Sequence, residues 1–320
     1  MPILRSTRNL TTIHPATATT LGVGVFEYTD HWSVFHYGRM PDPIPGKGEA
    51  TCHMAVHTFR LLEAAGVATH FRRQVSASQI EFDLASIPDL GGAPLTPGSV
   101  ACLLPVQSLF RNELPAGSSV HRRVADGTLR PADVGLTGMP AVGERLAQPL
   151  IEYATMLDPV NRYIGEAEAQ RLTGLSDSQI KAMRDITITV NRVLAEHAHQ
   201  AGLRLCDGKV EFMLSGEGHM VVADSPGTPD ECRLTWGGVP CGKQILRDWY
   251  VAHGLEVPVK RLIAQGVPRD QWPRPAPLPR GFAAVMSEVY RALADTWTGR
   301  HHGTASVLDT AARAAADLIR

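Results

Sequence analysis

The sequence predicts an α+β chain in two lobes, a small N-terminal lobe rich in antiparallel strands and a larger lobe that ends in helices. Three observations support this class. The chain has 320 residues, of which 44% are apolar and 20% charged, and this is enough for two packed lobes. Short strands alternate with Pro- and Gly-rich turns up to residue 104, whereas Ala- and Leu-rich helices fill the C-terminal part. We therefore assign residues 1–104 to the N-terminal lobe, with one helix, and residues 105–320 to the larger lobe.

The N-terminal lobe is predicted to contain several strands and one helix. Residues 1–20 are polar and Thr-rich and indicate a strand, a loop and a second strand. Residues 21–28 predict a further strand. The three prolines and two glycines of residues 39–48 predict an irregular loop. Because such a loop costs backbone stability, its presence indicates a functional use. Residues 49–65 predict a helix.

In the larger lobe, residues 127–150 are interrupted by Pro and Gly and are expected to wrap around the outside. Ser176 and Gln179 have the spacing of a capping box, which predicts the start of a long helix. A proline-rich connector is expected at residues 257–279. The other predicted helices comprise residues 166–171, 243–253, 282–297 and 305–319.

The stretch from residue 203 to residue 233 is the centre of the prediction, because it combines a hairpin pattern with clustered charges. Its two strands are joined by a turn at residues 215–218. Side chains alternate along a strand, so Lys209 and Glu211 share one face, and the turn is expected to place Asp224 opposite Lys209. Two carboxylates can ligate Mg²⁺ while an ammonium meets the phosphate oxygens of a nucleotide. The alternative is a solvated hairpin face with an ordinary cross-strand ion pair.

A second candidate site is the basic segment at residues 106–123, where three arginines surround a Gly-Ser-Ser turn. Arginine side chains and backbone N–H groups both favour a compact dianion such as phosphate. The pattern fits a phosphate cradle and a basic surface turn equally well.

Composition excludes several classes of partner. The formal net charge of −1 provides no global field for nucleic acid or an anionic membrane, so we expect small-molecule partners, and a homo-oligomer is compatible with the sequence. The five cysteines include no CxxC pair, which argues against structural zinc and for a reducing compartment. No apolar run approaches the ~20 residues of a membrane span, and the start MPILRSTRNL lacks an apolar signal region. We therefore expect a cytoplasmic protein.

Four segments carry a resemblance to a known family. In chain order they read TDHWSVFHYGRMPDPIPGKGE, LLPVQSLFRNELPAGSSVHRR, LCDGKVEF and ADSPGTPDECR. This set resembles the SAICAR synthetases (phosphoribosylaminoimidazole-succinocarboxamide synthases) of purine biosynthesis. The resemblance implies an ATP-grasp-like larger lobe and a ligase with ATP and Mg²⁺ as cofactors. In that reaction ATP phosphorylates the carboxylate of carboxyaminoimidazole ribotide, and the amino group of L-aspartate displaces the phosphate to leave an amide.

The resemblance also implies roles for individual residues. Lys209, Glu211 and Asp224 would be catalytic, with Glu211 and Asp224 as Mg²⁺ ligands. The residues assigned to the nucleotide are Arg8, Leu104, Val106, Gln107 and Lys209, where the backbone of the strand that begins near Leu104 would meet adenine. The residues assigned to the other substrates are Asp30, Ser33, His36, Lys47, Gly48, Arg111, Ser118, Arg122 and Arg233.

Two positions depart from the family pattern. The family's opening phosphate loop, R/E-G-K-x-K/R-D-x-Y, is replaced by residues 4–10, which lack its glycine and first lysine and keep Arg8 as a basic position. His36 replaces a carboxylate. The leading hypothesis is therefore a ligase of this family, including a specialised member that acts on a related heterocyclic ribotide in nucleoside biosynthesis. The alternative is a ribotide- or nucleotide-binding protein that has lost turnover and has a regulatory or scaffolding role.

Overall fold

Two antiparallel sheets frame the computed structural model, which describes residues 3–4, 6–35, 37–89, 91–158, 161–300 and 304–319. The strands of the first sheet are β1 (Ile3–Leu4), β2 (Arg8–His14), β3 (Gly22–Tyr28), β4 (Phe71–Ser76) and β5 (Gln79–Leu84). Within the described residues, their order across the sheet is β1-β2-β3-β5-β4. Every second residue of β3 is buried, as expected for a strand with one face on a core.

Helix α1 (Lys47–Ala64) packs against this first sheet. Its buried Phe59 belongs to one apolar cluster with Phe26 of β3 and Phe82 of β5. The start of α1 lies so close to β3 that a Cβ atom on Gly48 would be 2.4 Å from the carbonyl oxygen of Tyr28. Only glycine allows this approach, which fixes the start of the helix beside the end of β3.

The second sheet contains the central hairpin. Its strands are β6 (Leu103–Glu113), β7 (Arg145–Thr155), β8 (Tyr163–Ile164), β9 (Arg204–Leu214), β10 (Met220–Ala223), β11 (Cys232–Trp236) and β12 (Val239–Cys241). In the described part of the chain their order is β12-β11-β9-β6-β7-β8, with β10 paired to β9. The first half of β9 pairs with β11 and its second half with β10, while β6 pairs along both halves. Strand β9 therefore occupies the centre of the sheet.

Helices cover the second sheet. They are α2 (Ser119–Ala125), α3 (Glu166–Thr173), α4 (Asp177–Gln200), α5 (Lys243–Ala252), α6 (Glu256–Ala264), α7 (Phe282–Thr298) and α8 (Thr304–Asp317). The predicted capping box is present at the start of α4, where the side chains of Ser176 and Gln179 each accept the backbone N–H of the other. The lobes also touch through α1 and α7, because Trp297 Nε1 donates to Thr58 Oγ1 at 3.1 Å.

Two segments differ from the sequence prediction. Residues 127–150 do not simply wrap the outside, because β7 begins at Arg145 and runs through Pro149. The pairing of β6 with β7 shifts register beside Pro149, and such an irregularity tolerates the missing N–H of proline. The expected connector at residues 257–279 differs in its first part, which belongs to α6. Pro258 does not prevent this helix, because it lies in the first turn, where a backbone N–H has no intrahelical acceptor.

The predicted lobe boundary at residue 104 lies one residue inside β6. The first sheet ends before this boundary, and the second sheet starts beside it. Helix α1, however, packs against the first sheet and also against α4 and α7, which follow the boundary. The division at residue 104 therefore stays a prediction. Among the described helices, none has both the length and the apolar character needed to span a bilayer.

The capping box gives a prediction about stability. We expect Ser176→Ala to lower the free energy of unfolding by about 1 kcal/mol, because the first turn of α4 loses its side-chain acceptor. Urea denaturation measures this change. Thr189→Ala removes an exposed hydroxyl from the middle of the same helix and should not lower stability. Equal effects of the two substitutions would contradict the capping role.

Candidate active site

A cavity of about 940 Å³ opens over the centre of the second sheet, where β11, β9 and β6 lie side by side. The start of β2, the loop after β3 and helices α2, α5 and α6 complete its walls. Basic side chains outnumber acidic ones along the lining, so the cleft favours anionic ligands. The predicted site residues that line it are Arg8, Ser33, Gln107, Arg111, Ser118, Arg122, Lys209 and Arg233.

Lys209 projects from β9 into a group of three carboxylates, and we call these four residues (Lys209, Glu211, Asp224 and Glu231) the lysine cluster. The Nζ atom of Lys209 lies 2.7 Å from Glu211 Oε1, 2.9 Å from Glu231 Oε2 and 3.5 Å from Asp224 Oδ2. The sheet explains this gathering. Strands β10 and β11 share the same side of β9, and the loop between them, residues 224–231, leaves the sheet beside Lys209.

Asp224 reaches the lysine cluster through its backbone conformation and not through the predicted register. Strand β10 places Ala223 opposite Glu211, so the prediction that Asp224 lies opposite Lys209 is wrong by one residue. In a regular strand, Asp224 would then point to the other face of the sheet. Its φ of 66° is left-handed, which turns the chain so that the carboxylate faces Lys209.

Arg8, at the start of β2, brings a second cation to the same carboxylates. It forms an ion pair with Asp224, and its Nη2 lies 3.7 Å from Glu231 Oε1. Its Nη1 also donates to Ser225 Oγ at 2.7 Å, and Ser225 Oγ lies 2.7 Å from the hydroxyl of Tyr28. These contacts join the first sheet to the loop that carries Asp224.

The members of the lysine cluster differ in their affinity for protons. Burial, together with the carboxylate of Asp224, raises the pKa of Glu211 to about 7. Burial also disfavours the ionised form of Asp224, but Arg8 and Lys209 outweigh it and hold the pKa of Asp224 well below its ordinary value. Burial opposes the charge of Lys209, yet the three carboxylates raise the pKa of this ammonium well above its ordinary value. Lys209 therefore stays charged while Glu211 can still take up a proton near neutral pH.

The donor set of the lysine cluster fits a hard divalent cation. Mg²⁺ prefers oxygen ligands and commonly takes one or two carboxylates from a protein, with water and phosphate in its remaining positions. Glu211 and Asp224 offer two such groups close together. A cation beside Glu211 would also offset the repulsion from Asp224 that raises its pKa. These two residues could therefore hold magnesium in the way the sequence predicts.

A second polar group in the cleft is built around the carboxylates of Glu152 and Asp207. The buried Arg111 donates from Nε to Glu152 Oε2 at 2.7 Å and from Nη1 to Asp207 Oδ2 at 3.0 Å. Its Nη2 donates to Ser119 Oγ at 3.1 Å and to Tyr163 Oη at 3.3 Å. Every nitrogen of Arg111 is therefore occupied. This geometry supports a structural role in the cleft wall and gives no support to the predicted direct grip on a ligand.

Arg233 and Arg247 are placed differently. Arg233 binds Asp207 through Nε at 2.9 Å and Nη2 at 2.7 Å, but its Nη1 is buried without a hydrogen-bond partner in the described structure. The Nε of Arg247, on α5, is buried in the same way. Burial and the nearby charge of Arg233 lower the pKa of Arg247. An anion bound beside Arg233 and Arg247 would reduce the repulsion between their charges.

Three of the predicted substrate residues have structural contacts and do not line the cleft. Asp30 accepts the backbone N–H of Gly48 at 3.0 Å, which holds the start of α1. Lys47 is only 1% exposed, and its Nζ lies 2.8 Å from Asp230 Oδ2. These contacts tie α1 to the loop at residues 224–231. They give no support to direct substrate binding by Asp30, Lys47 or Gly48.

The residues predicted near adenine are split between core and cleft. The side chains of Leu104 and Val106 are fully buried in the main apolar cluster, so any contact with a nucleotide would use their backbone. Gln107 lines the cleft, and its Oε1 is buried without a partner in the described structure. Ser118 lines the cleft as the N-cap of α2. His36 lies outside the described residues.

Three residues of the site were not predicted from the sequence. Glu231 completes the lysine cluster, and its position in the quoted segment ADSPGTPDECR was the available signal. Ser225 joins Arg8 to Tyr28, and Arg247 supplies an unpaired guanidinium nitrogen. A serine after a strand and an arginine on an amphipathic helix have no distinctive pattern, so only the folded arrangement reveals them.

Comparison with known proteins gives consistent matches over most of the chain. The family model for SAICAR synthetase matches residues 17–257. A protein of Archaeoglobus fulgidus named putative phosphoribosylaminoimidazole-succinocarboxamide synthase is 34% identical over 297 residues, which cover 87% of this chain and 89% of the relative. The phosphoribosylaminoimidazole-succinocarboxamide synthase of Thermoplasma acidophilum is 26% identical over 284 residues, which cover 86% of this chain and 93% of that protein.

Solved structures share the fold. A type-2 SAICAR synthetase in complex with ADP has a TM-score of 0.61 at 22% identity, and the match covers 86% of this chain and 100% of that one. The SAICAR synthase of Saccharomyces cerevisiae complexed with SAICAR has a TM-score of 0.69 at 18% identity, with coverage of 93% and 95%. The predicted α+β architecture is thereby confirmed.

The raised pKa of Glu211 gives a prediction about stability in metal-free protein. Glu211 binds its proton more tightly when folded, at a pKa of about 7, than at its ordinary 4.5. This proton uptake stabilises the folded state fully below pH 4.5, and the effect is lost as the pH rises through 7. We subtract the free energy of unfolding of Glu211→Gln from that of the wild type. This difference should therefore decrease as the pH rises from 4.5 to 7.

Urea denaturation in EDTA at several pH values measures this difference. The control Glu217→Gln removes an exposed carboxylate from the turn of the same hairpin, and the pH dependence of the Glu211→Gln difference is compared with it. A wild-type to Glu211→Gln difference that is constant or rises with pH would contradict the raised pKa.

Proposed function

Since the chain belongs to the SAICAR synthetase family, we propose that it is an ATP-dependent ligase that joins the carboxylate of carboxyaminoimidazole ribotide, or a related heterocyclic ribotide, to the amino group of L-aspartate. The family membership confirms the resemblance carried by the four motif segments, and it identifies a carboxylate–amine ligase of purine biosynthesis. The observation that best supports the proposed reaction is that Lys209 and Glu231 line the same basic cleft as Arg233 and Arg247, with the carboxylates of Glu211 and Asp224 next to Lys209. Such a cleft can hold two phosphate-bearing substrates at once.

The nucleotide would bind at the lysine cluster. Glu211 and Asp224 would hold a magnesium ion, which when bound neutralises phosphate charge. Lys209 remains an ammonium and lines the cleft, so its Nζ can meet phosphate oxygens that the metal leaves unneutralised. Arg8 pairs with Asp224 in this structure and lies at the cleft wall, so it is the second candidate for a phosphate contact.

The ribotide phosphate would bind at the Arg233–Arg247 pair. Arg233 Nη1 and Arg247 Nε, which have no partner within the described part of the chain, are donors of the kind that a phosphate dianion satisfies. Arg122, which is exposed on α2, and Ser118 at the start of that helix line the same cleft and can complete the contact. Arg111 would act indirectly, by holding Asp207 and so the guanidinium of Arg233.

The chemistry would proceed through an acyl phosphate. An oxygen of the ribotide carboxylate attacks the γ-phosphorus of ATP, and the bond from that phosphorus to the bridging oxygen breaks to release ADP. The aspartate nitrogen then attacks the acyl carbon, the carbon–oxygen bond to phosphate breaks, and the amine loses a proton as the amide forms. Lys209 and Arg8 would stabilise the charge that develops on the transferred phosphate, because both cations are fixed in a partly buried site.

Substitution of the proposed metal ligands tests the nucleotide site. Glu211→Gln and Asp224→Asn should each lower ADP formation at least about 100-fold, because each loses a carboxylate that holds the metal. The assay contains ATP, Mg²⁺, L-aspartate and carboxyaminoimidazole ribotide. The exposed Glu217→Gln should keep wild-type activity. A variant that lowers the melting temperature but keeps its activity would indicate an ordinary structural ion pair.

Substitution of Arg122 tests the ribotide site. Arg122→Gln should raise the KM for the ribotide about tenfold and leave the KM for ATP unchanged, because it removes one phosphate contact and about 1.4 kcal/mol of binding. Arg130→Gln, an exposed arginine outside the cleft, is the matched control and should change neither constant. Equal increases in both KM values for Arg122→Gln would contradict a separate ribotide site.

A wild-type assay separates the ligase from the alternative binding protein. The ligase should form ADP in a reaction that requires the ribotide and L-aspartate. Carboxylates of related imidazole and pyrazole ribotides identify the preferred heterocycle. A folded wild-type protein that binds ribotide but forms no ADP with any of these acceptors would support the binding role and overturn the proposed reaction.

A further inference from the structure

Residues 68–70, between α1 and β4, connect the first sheet to the central hairpin. Thr69 forms a parallel bridge with Val222 of β10. The N–H of His70 donates to the carbonyl of Val222 at 2.9 Å, and the carbonyl of His70 accepts the N–H of Asp83 in β5 at 2.7 Å. This short segment therefore holds the end of β10, immediately before Asp224, against the N-terminal lobe.

The imidazole of His70 is only 3% exposed and lies among aromatic side chains. Its ring centroid is 4.8 Å from that of Phe82, 5.5 Å from that of Phe59 and 6.2 Å from that of Phe26. In these surroundings its Nε2 lies 3.1 Å from the carbonyl oxygen of Asp224. Since a carbonyl oxygen can only accept, Nε2 carries the hydrogen and donates it.

A polar ring in an apolar cluster is unfavourable unless its polar atoms have partners. A phenylalanine would fill the space between Phe26, Phe59 and Phe82 without that cost, so packing alone does not account for a histidine at this position. The hydrogen bond to Asp224 is the feature that a phenylalanine could not supply. Its acceptor is the carbonyl of the residue whose left-handed φ of 66° turns a carboxylate into the lysine cluster.

A left-handed conformation of a residue other than glycine persists when its surroundings fix it. The side chain of Asp224 is held by Arg8 and lies near Lys209, but both are cations that the proposed nucleotide would engage. The contact with His70 is on the other side of the residue, at its carbonyl, and does not depend on the ligands of the cleft. It can therefore keep the backbone in place while the carboxylate changes partners.

We propose that His70 is a positioning residue, whose hydrogen bond to the carbonyl of Asp224 fixes the left-handed backbone that aims the Asp224 carboxylate at Lys209 and at the metal. This role rests on the proposed function, because it assumes that Asp224 is a metal ligand. His70 is not among the residues that line the cleft, and its imidazole contacts the carbonyl of Asp224, so its side chain would act on the nucleotide through Asp224.

Binding of Mn²⁺ with ADP tests this role without turnover. Mn²⁺ takes the same oxygen ligands as Mg²⁺, and electron paramagnetic resonance measures its free concentration. His70→Phe suits the aromatic cluster but leaves the Asp224 carbonyl without its donor, and we expect Mn²⁺·ADP to bind about tenfold more weakly. His70→Gln restores an N–H donor and should bind within about threefold of the wild type. His57→Gln makes the same replacement on α1, outside the cleft, and should not change binding.

Melting temperatures of all three variants distinguish positioning from general loss of stability. Weak Mn²⁺·ADP binding by His70→Phe, with recovery in His70→Gln and a folded state in both, would support the proposal. Wild-type affinity in folded His70→Phe, or equal weakening in both His70 variants, would overturn it.

A crystal structure of the nucleotide-free wild type provides a second measurement if His70→Phe does not fold. A left-handed Asp224 with His70 Nε2 within hydrogen-bond distance of its carbonyl supports the proposal, and a separation beyond 3.5 Å overturns it. These results are distinct from failure of the proposed ligase, which would appear as a wild type that forms no ADP.

Discussion

The attraction between the Lys209 ammonium and three carboxylates is the interaction on which the cleft depends. Strand β9 carries Lys209 at the centre of the second sheet, and the loop at residues 224–231 folds back so that its acidic residues meet this charge. Arg8 brings the first sheet to the same group. The cluster thus fixes the relative position of the hairpin, the loop and the N-terminal lobe, and these elements form one side of the cleft.

The lysine cluster and the Arg233–Arg247 pair each have an imbalance of charge that a bound ligand can offset. At the lysine cluster, burial and the neighbouring carboxylate of Asp224 raise the pKa of Glu211, and a metal would relieve the repulsion between the two carboxylates. At the Arg233–Arg247 pair the imbalance is positive, and two buried nitrogens have no acceptor among the residues that the structure describes. One part of the cleft therefore favours a cation and the other an anion. A ligase that handles a metal–nucleotide and a phosphorylated acceptor requires both.

Many of the strands and helices, and the charged residues of the central hairpin, could be predicted from local sequence. The alternation along β3 and the capping box of α4 are local patterns, and the acidic and basic residues of the hairpin lie within a short stretch. Contacts between distant segments were not predictable in the same way. The ion pair of Arg8 with Asp224 and the burial of Lys47 against Asp230 depend on how the lobes pack. The register error arose because five residues, 215–219, separate the paired ends of β9 and β10, one more than the predicted turn. The left-handed φ of Asp224, which returns its carboxylate to Lys209, has no sequence signal in a residue other than glycine.

The central claim is that Glu211 and Asp224 hold a divalent cation with the nucleotide. A crystal structure of the protein with ADP and Mg²⁺ tests it most directly. The account predicts a metal about 2.1 Å from an oxygen of each carboxylate, with Lys209 on a phosphate and Arg8 released from Asp224. ADP bound in the cleft with no metal on either carboxylate, and with Arg8 still paired to Asp224, would contradict it.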